Sequence, residues 1–266
     1  MKEISGDIPL SWDAKIWYLA YNTVRNLCEL RYPLRMLFWH ATFSDETSDS
    51  PMRSYLDAFM RTELPRLVPP HPLSVFDIGC GTAYMRSVLV QGGYSGFYTG
   101  VDVVREPRFD AHAYPEFQTT FLNQDVTACS TEKKFDLVIS NTSLEHVVND
   151  TAVVGIARAV TAKGGIEVHI VPSLWSLPLY LWHGYRQYTP ARIRRLFKGT
   201  RYMTYRMGGL ASFFLHLFSI TLLERIFGYY GFRKKPMYVH LKKIARRGDA
   251  FLPWCSVLYA VIVFHE

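Results

Sequence analysis

Cysteine is scarce in this sequence, and no two cysteines are spaced as a pair. The 266 residues contain four, Cys28, Cys80, Cys129 and Cys255, with no C-x-x-C motif among them. This scatter argues against a disulfide framework and against a zinc site, and it fits a reducing compartment. Acids and histidines do not cluster at ligand spacing either, so the sequence predicts no metal.

A run long enough to cross a membrane is also missing. Residues 208–223 carry no formal charge, but sixteen residues fall short of the roughly 20 that a bilayer-spanning helix needs, and His216 lies in their middle. The first ten residues, M-K-E-I-S-G-D-I-P-L, place acids where a secretory signal would have its apolar core. We therefore expect a cytoplasmic protein.

Acidic residues are few in the second half of the chain. Residues 151–266 hold 17 Lys and Arg against four acids, whereas residues 1–150 hold 13 basic and 19 acidic residues. Such asymmetry favours an anionic partner for the C-terminal half: a membrane surface, a phosphorylated substrate or a nucleic acid. A basic face that is merely solvated explains the same pattern.

Two common nucleotide-binding signatures are absent from the stretch that otherwise suggests a ligand. In residues 74–85, S-V-F-D-I-G-C-G-T-A-Y-M, an apolar strand breaks into a glycine turn before a helix. No Gly-Lys-Ser/Thr follows the turn, which excludes a P-loop, and Tyr84 stands where a dinucleotide fingerprint needs a small residue. Asp102 ends the next predicted strand 21 residues after Gly81, where a carboxylate can accept hydrogen bonds from a ribose diol.

The turn resembles motif I of the class I S-adenosylmethionine-dependent methyltransferases, in particular the small-molecule group of type 11 and type 12 sequences. Asp77, Gly79 and Gly81 match the family's E/D-x-G-x-G pattern, and Ala83 departs from its third glycine. The resemblance implies S-adenosyl-L-methionine as the cofactor. It assigns cofactor binding to Asp77, Gly79, Cys80, Gly81, Asp102, Asp125, Val126 and Asn141, with Asp125 and Val126 at the adenine. As an alternative, Asp125 caps the next turn.

The loop after the fourth strand, N-T-S-L-E-H-V, lies where open parallel sheets bind ligands. Its L-E-H resembles the loop of the small-molecule group and not the N-P-P-Y motif of enzymes that methylate amino groups of nucleic acids. His146 is the first candidate general base, because an imidazole can accept a hydroxyl proton near neutral pH. The alternative, of equal weight, is that His146 is a structural histidine that orients the loop. His183, in the aromatic segment 173–188, is the second candidate.

The predicted fold is α/β: a Rossmann-like, seven-stranded, mostly parallel sheet with helices on both faces. Residues 71–206 with 254–266 form the core, residues 1–70 a helical extension, and residues 207–253 an apolar then basic helical insertion before the last strand. In the extension, Ile16, Leu19, Ala20, Val24, Leu27 and Leu30 recur at helical spacing, and Phe43 to Pro51 is a polar loop. We expect its aromatic residues to pack onto the sheet, or to form a lid.

Function follows from the resemblance. It implies O-methylation of a small-molecule, glycan or lipid-linked acceptor at the inner face of the membrane. An RNA methyltransferase that uses the basic surface, and a cofactor-binding scaffold without catalysis, are the alternatives. The apolar segment 208–223 followed by basic residues from 225 to 247 is typical of a peripheral helix on an anionic membrane. A helical subdomain packed on the N-terminal helices explains the same segment.

Overall fold

The computed structural model describes residues 3–30, 34–40, 47–110 and 114–266, and residues 43–46 of the predicted polar loop lie outside these ranges. Within them eight strands form one sheet, in the order β1-β7-β8-β6-β5-β2-β3-β4. The strands are β1 (Leu37–Phe38), β2 (Pro72–Ile78), β3 (Ser95–Asp102), β4 (Phe117–Asn123), β5 (Phe135–Asn141), β6 (Thr161–Pro172), β7 (Arg201–Met207) and β8 (Leu258–Phe264). The Rossmann-like α/β fold is confirmed, with one strand more than predicted. The extra strand is β1, whose two residues are too few to leave a periodic signal.

Helices separate the strands along the chain. They are α1 (Trp12–Glu29), α2 (Pro51–Thr62), α3 (Leu64–Leu67), α4 (Met85–Gln91), α5 (Asp150–Val160), α6 (Leu177–Tyr180), α7 (Pro190–Leu196), α8 (Leu210–His216) and α9 (Pro236–Phe251). Helix α8 continues directly as a π-helix, Leu217–Ile226. In the part of the chain that is described, no helix is both long and apolar enough to span a bilayer.

The chain divides into two compact units. Unit 1 comprises Met1–Ala58, Pro172–Ile193 and Thr204–Ala260, and unit 2 comprises Phe59–Val171, Arg194–Met203 and Val261–Glu266. In unit 2 the pairs β2·β3, β2·β5, β3·β4 and β5·β6 are all parallel. The central strands are buried on both faces, which explains their continuous apolar runs. Their carboxyl ends meet at one edge, and the glycine turn follows β2 there.

Helix α5 begins at an asparagine cap and passes directly into β6 at its end. Asn149, and not Asp150, caps α5, because its side chain accepts a hydrogen bond from the Ala152 amide at 3.0 Å. The helix ends at Val160, so Gly164 and Gly165 lie inside β6 rather than at the end of the helix. Their backbones pair with His265, and Gly164 adopts a φ of +79° at an irregular point of the strand register.

Helix α1, in unit 1, buries polar side chains and exposes apolar ones. Asn22 and Asn26 are buried, and the Asn26 amide donates to Gln187 Oε1 at 3.2 Å. Ile16 and Leu27 are 67% and 58% exposed. Val24 and Leu30 are exposed as well, so the apolar residues that give α1 its helical periodicity are not its buried face.

The aromatic residues of the extension divide in the same way. Tyr18 and Trp39 are buried, whereas Trp12 is 74% exposed and Trp17 is 40% exposed. Tyr32 and Phe43, also part of the predicted aromatic packing, lie outside the described residues. Packing onto the interior is therefore wrong as an account of the whole set.

The basic run after residue 223 is only partly a surface feature. Lys242 is fully buried, and its ammonium donates to Thr47 O at 2.8 Å and to Ser54 Oγ at 3.1 Å. Arg233 forms an ion pair with Glu224, and Arg246 is buried. The expectation that this whole run contributes to one basic surface is therefore wrong, because Lys242 and Arg246 are buried and the charge of Arg233 is paired with Glu224.

Candidate functional site

The glycine turn is fastened to the end of β3 by its own backbone. The amides of Gly79 and Cys80 donate to Val101 O at 2.9 and 3.2 Å, and the Gly81 amide donates to Asp102 Oδ2 at 2.9 Å. The strand-one and strand-two motifs predicted from sequence are thus joined directly. A single rigid turn carries both of them.

Gly79 and Gly81 are required for different reasons. Both have positive φ, +68° and +49°, which favours glycine. A Cβ on Gly79 would lie 2.4 Å from the Ser143 Cβ, so close packing against the loop after β5 requires glycine there. A Cβ on Gly81 would meet no atom within 4 Å. Open space over the backbone, as expected of a ligand cradle, is therefore present at Gly81, whereas the side of Gly79 is filled by protein.

Cys80, between the two glycines, turns its thiol into the protein. Its Sγ is buried beside Gly100 of β3, and a Cβ on Gly100 would lie only 2.7 Å from this sulfur. Burial raises the pKa of the Cys80 thiol, and the negative charge of Asp77 raises it further. Contact between Cys80 and a cofactor stays a prediction, and it concerns the backbone, since the side chain packs in the core.

Asp102 extends the same arrangement toward β4. Its Oδ1 accepts from the Val104 amide at 3.2 Å, and the Asn123 side-chain amide donates to Val103 O at 2.8 Å. Each carboxylate oxygen has capacity for a further hydrogen bond, because it accepts one of the two that its lone pairs allow. The position suits a diol at the edge of the sheet, as the sequence predicts.

Asp77, inside β2, is buried to 1% exposure. Its Oδ2 accepts a short hydrogen bond from the Tyr98 hydroxyl, and its Oδ1 has no hydrogen-bond partner among the described residues. The pKa of Asp77 is raised to about 7, chiefly by burial and also by the charge of Asp102, although the hydrogen bond from Tyr98 lowers it. Tyr98 is a site residue that sequence reasoning missed, although it lies 21 residues from Asp77 on a predicted strand.

Asp125 and Val126 begin a single 3₁₀ turn, Val126–Ala128. Asp125 Oδ1 accepts from the Thr127 amide and hydroxyl, both at 2.7 Å, and these bonds lower its pKa. The capping role considered from sequence is therefore present. Neither of these two hydrogen bonds uses Asp125 Oδ2. The next residue, Val126, is buried. The predicted adenine contacts stay a prediction.

The loop after β5 holds the polar groups that the sequence placed there. Asn141 ends the strand, and its Oδ1 is buried with no hydrogen-bond partner in the described ranges. The Ser143 hydroxyl donates to Ile78 O at 2.8 Å, which ties the loop to the end of β2. Asn141 is thereby held near the glycine turn with an acceptor that the described protein does not use.

His146 ends the 3₁₀ turn Leu144–His146 of the same loop. Its side chain is 34% exposed, and its Nε2 lies 3.9 Å from Oε1 of Glu145, which is almost fully buried. Glu145 was not predicted as a site residue, although it stands in the L-E-H motif.

His183, the second candidate base, belongs to unit 1. Its Nδ1 lies 3.7 Å from Asp7 Oδ1, its ring centroid lies 5.5 Å from that of Tyr180, and its carbonyl accepts from the Tyr18 hydroxyl at 2.6 Å. These contacts give His183 a structural role within unit 1. A catalytic role stays a prediction.

A cavity of about 200 Å³ adjoins the glycine turn and is lined in part by Thr82, Ala83 and Arg86. Arg86 is 5% exposed, and its guanidinium lies over the Phe109 ring at 4.9 Å. It donates to Thr119 Oγ1 at 3.2 Å, which anchors α4 to β4. No sequence signal distinguishes this buried arginine from an exposed one.

Comparison with known proteins decides the family. A sequence profile described as "Methyltransferase domain" matches residues 52–235. The chain belongs to this methyltransferase family. The resemblance to class I S-adenosylmethionine-dependent methyltransferases is thereby confirmed, and the protein is an enzyme of that kind with S-adenosylmethionine as cofactor.

Individual relatives are more distant. A ubiquinone biosynthesis O-methyltransferase of Haemophilus ducreyi is 31% identical over 102 residues, which are 35% of this chain and 42% of that protein. The chain therefore spans less than half the length of this curated relative.

Two solved structures share the fold. The N-methyltransferase NodS of Bradyrhizobium japonicum, in complex with S-adenosylhomocysteine, is 14% identical with a TM-score of 0.52, covering 82% of this chain and 90% of its own. A sarcosine dimethylglycine methyltransferase assigned in Galdieria sulphuraria is 13% identical with a TM-score of 0.51, covering 81% and 86%.

The residues at the edge of unit 2 fit the cofactor. Gly81 leaves open space over the backbone, Asp102 offers carboxylate lone pairs at the turn, and Asp77 and Asn141 each carry a buried oxygen without a partner in the described part of the chain. A ligand that carries hydroxyl and ammonium groups would satisfy these acceptors.

Proposed function

We propose that this methyltransferase methylates an oxygen of a small-molecule, glycan or lipid-linked acceptor, and that it works as a peripheral protein on an anionic membrane at the cytoplasmic face. The observation that carries the chemistry is the loop after β5, which presents the His146 imidazole beside the buried Glu145 carboxylate. The O-methyltransferase relative from Haemophilus ducreyi supports oxygen as the acceptor atom.

On this proposal, Asp102 accepts the ribose hydroxyls and Gly81 lets the ligand approach the main chain. Asp77 and Asn141 receive hydrogen-bond donors at the same edge, and Asp125 and Val126 bound the adenine. When bound, S-adenosylmethionine supplies an electrophilic methyl group on a positively charged sulfur. The protein then has to align the acceptor and to remove the hydroxyl proton.

His146 performs the proton transfer in this proposal. An imidazole can hold a proton at neutral pH, and Oε1 of Glu145, 3.9 Å from Nε2, stabilises the imidazolium that results. Glu145 is a positioning residue because it acts through His146.

Methyl transfer is tested directly. Purified protein is incubated with S-adenosylmethionine labelled in the methyl group and with extracts of small molecules, glycans and lipids, and labelled products are identified by mass spectrometry. We expect a labelled methyl ether whose formation falls about a hundredfold with His146→Ala. Label on nitrogen alone, or on RNA, would overturn the proposal of an oxygen acceptor.

Membrane association is supported by the inverted polarity of unit 1. In the segment Leu210–Ile226, Ser212, His216 and Ser219 are buried, whereas Phe214 and Phe218 are 55% and 50% exposed. Helix α1 shows the same inversion. Burying polar groups while leaving aromatic ones in water is unfavourable for a helix in water, so an apolar environment outside the protein accounts for it better.

Basic side chains lie in the same unit. Lys234, Lys235 and Arg247 are exposed, and in the same unit Phe227 and Trp254 are 72% and 62% exposed. Aromatic residues beside exposed lysines and arginines are typical of surfaces that bind anionic lipid headgroups. Each basic residue contributes about 1 kcal/mol at such a surface.

The matched test compares two triple substitutions. Replacing Lys234, Lys235 and Arg247 by Gln removes about 3 kcal/mol, which lowers affinity for anionic vesicles about a hundredfold. The control replaces three exposed basic residues of unit 2, Arg108, Lys163 and Lys198, by Gln, with the same change in net charge.

We expect the control to pellet with vesicles like the unsubstituted protein at low salt, and both to be released at high salt. Equal loss in the two variants would mean that net charge, and not this surface, attracts the protein. Binding to RNA with a steep salt dependence and no binding to vesicles would replace the membrane proposal with the RNA alternative.

A further inference from the structure

Unit 1 contains a second cavity, of about 470 Å³, which lies in the size range of small-molecule sites. It is lined by Arg35, Arg206, Trp175, Tyr259, Cys255 and Ser256, together with apolar side chains, and no acid is among the described residues that line it. None of these residues belongs to the cofactor site described above.

The two arginines give the cavity its charge. Arg35 precedes β1 and Arg206 lies in β7, opposite Phe38 in the parallel register, with its guanidinium 5.6 Å from the Phe38 ring. Within the described residues, neither arginine forms an ion pair or a side-chain hydrogen bond, and the Nε of Arg206 is buried without a partner. Two uncompensated guanidinium groups facing one cavity favour an oxyanion, since the planar fork of arginine matches phosphate geometry.

Aromatic side chains also line the cavity, and an exposed apolar segment precedes part of its lining in the chain. Tyr259 is 6% exposed, and Trp175 packs edge-on against Phe213 at 6.2 Å. The lining segment that contains Cys255 follows directly after Phe251 and Trp254, which are 83% and 62% exposed. A ligand with an anionic group at the arginines could therefore lay an apolar chain over these side chains.

We propose that this cavity binds the phosphate group of an amphiphile, with its apolar chain over Phe251 and Trp254. The inference deepens the proposed function and rests on it in one respect, the identification of the amphiphile with a lipid-linked acceptor. Binding itself is independent of methyl transfer and is tested without the cofactor.

Cys255 provides a probe, because its thiol lines the cavity. In a background with Cys28→Ser and Cys129→Ser, where the other remaining cysteine, Cys80, is buried, a thiol reagent should modify Cys255. Burial raises the pKa of this thiol, so the reaction is followed at mildly alkaline pH. We expect decyl phosphate, below its micelle concentration, to slow modification at least tenfold.

Two comparison ligands separate the contribution of the phosphate group to this protection from that of the apolar chain. Inorganic phosphate at the same concentration should protect weakly, and the neutral amphiphile decyl maltoside should not protect. Equal protection by inorganic phosphate would overturn the role of the apolar chain, and equal protection by decyl maltoside would overturn the role of the phosphate. Absence of protection by decyl phosphate would overturn the site.

Variants test the arginines. Arg35→Gln and Arg206→Gln should each weaken protection by decyl phosphate about tenfold or more, whereas the control Lys198→Gln, at an exposed residue of unit 2, should leave it unchanged. Arg35 is exposed, so its substitution decides the question if Arg206→Gln does not fold. Protection without any labelled methyl product would leave the phosphate site standing while the proposed function fails. A labelled lipid product without protection of Cys255 would support the proposed function and overturn the phosphate site.

Discussion

Asp77 offers a test of the site that needs no substrate. Its carboxyl group is buried inside β2, and burial raises its pKa from 3.8 to about 7. The folded protein therefore retains a proton that the unfolded chain releases. Asp77→Asn removes the ionisation and keeps a side-chain oxygen that can accept the bond from the Tyr98 hydroxyl.

The sign follows from proton linkage. Between pH 3.8 and about pH 7 the folded state binds more protons at this group than the unfolded state, so the free energy of unfolding falls as pH rises through this window. The difference of about 3 pKa units, at 1.36 kcal/mol each, gives a loss of about 4 kcal/mol that is complete above pH 7. Asp77→Asn should escape this loss.

The assay is urea unfolding of both proteins, without cofactor, at intervals from pH 4.5 to pH 8.5. We expect the stability of Asp77→Asn relative to the unsubstituted protein to increase with pH, by up to about 4 kcal/mol at pH 8. Asp125→Asn is the control: hydrogen bonds from Thr127 lower the pKa of Asp125, so its effect on stability should be nearly constant between pH 4.5 and pH 8.5. If the difference in free energy of unfolding between Asp77→Asn and the unsubstituted protein does not change with pH, the reasoning is refuted.

Four further predictions concern the same unit. Asp102→Ala should weaken S-adenosylhomocysteine binding at least tenfold by calorimetry, because each lost hydrogen bond to a charged group is worth about 1.5–3 kcal/mol; unchanged affinity would contradict the ribose assignment. Gly81→Val should abolish binding, whereas Gly79→Ala should chiefly lower the melting temperature, because its Cβ would meet the loop after β5; binding loss without destabilisation at Gly79 would reverse the two roles. His146→Ala should reduce turnover about a hundredfold with unchanged cofactor affinity, and equal loss of both would mark a structural histidine. For Glu167, burial raises the pKa but hydrogen bonds from His169 and His265 outweigh it and hold the pKa below its usual value, so Glu167→Gln should cost about 3 kcal/mol at neutral pH. That cost should shrink as pH falls below 4.5, and a cost that grows with acidity would contradict the direction of the shift.

The sheet and the order of the site segments could be predicted because their signals are local. A buried parallel strand is a continuous apolar run, and a glycine turn at its carboxyl end requires φ values that glycine favours. Asp77, Gly81 and Asp102 are therefore recognisable from spacing. The different role of Gly79, close packing against the loop after β5, is not recognisable from spacing, because it depends on Ser143, which lies 64 residues away in the chain.

The orientation of the amphipathic helices could not be predicted, and the reason is physical. Periodicity shows that α1 has an apolar face, but which face is buried depends on what packs against the helix. Here Gln187 and the carbonyl of His183 provide hydrogen-bond partners for Asn26 and Tyr18, and these bonds make the polar face the one that can be buried. The apolar face is then left outward, which a sequence pattern alone interprets as core. An outward apolar face is unfavourable in water and favourable at a lipid surface, so the exposed face of α1 is the feature that most supports the proposed membrane association.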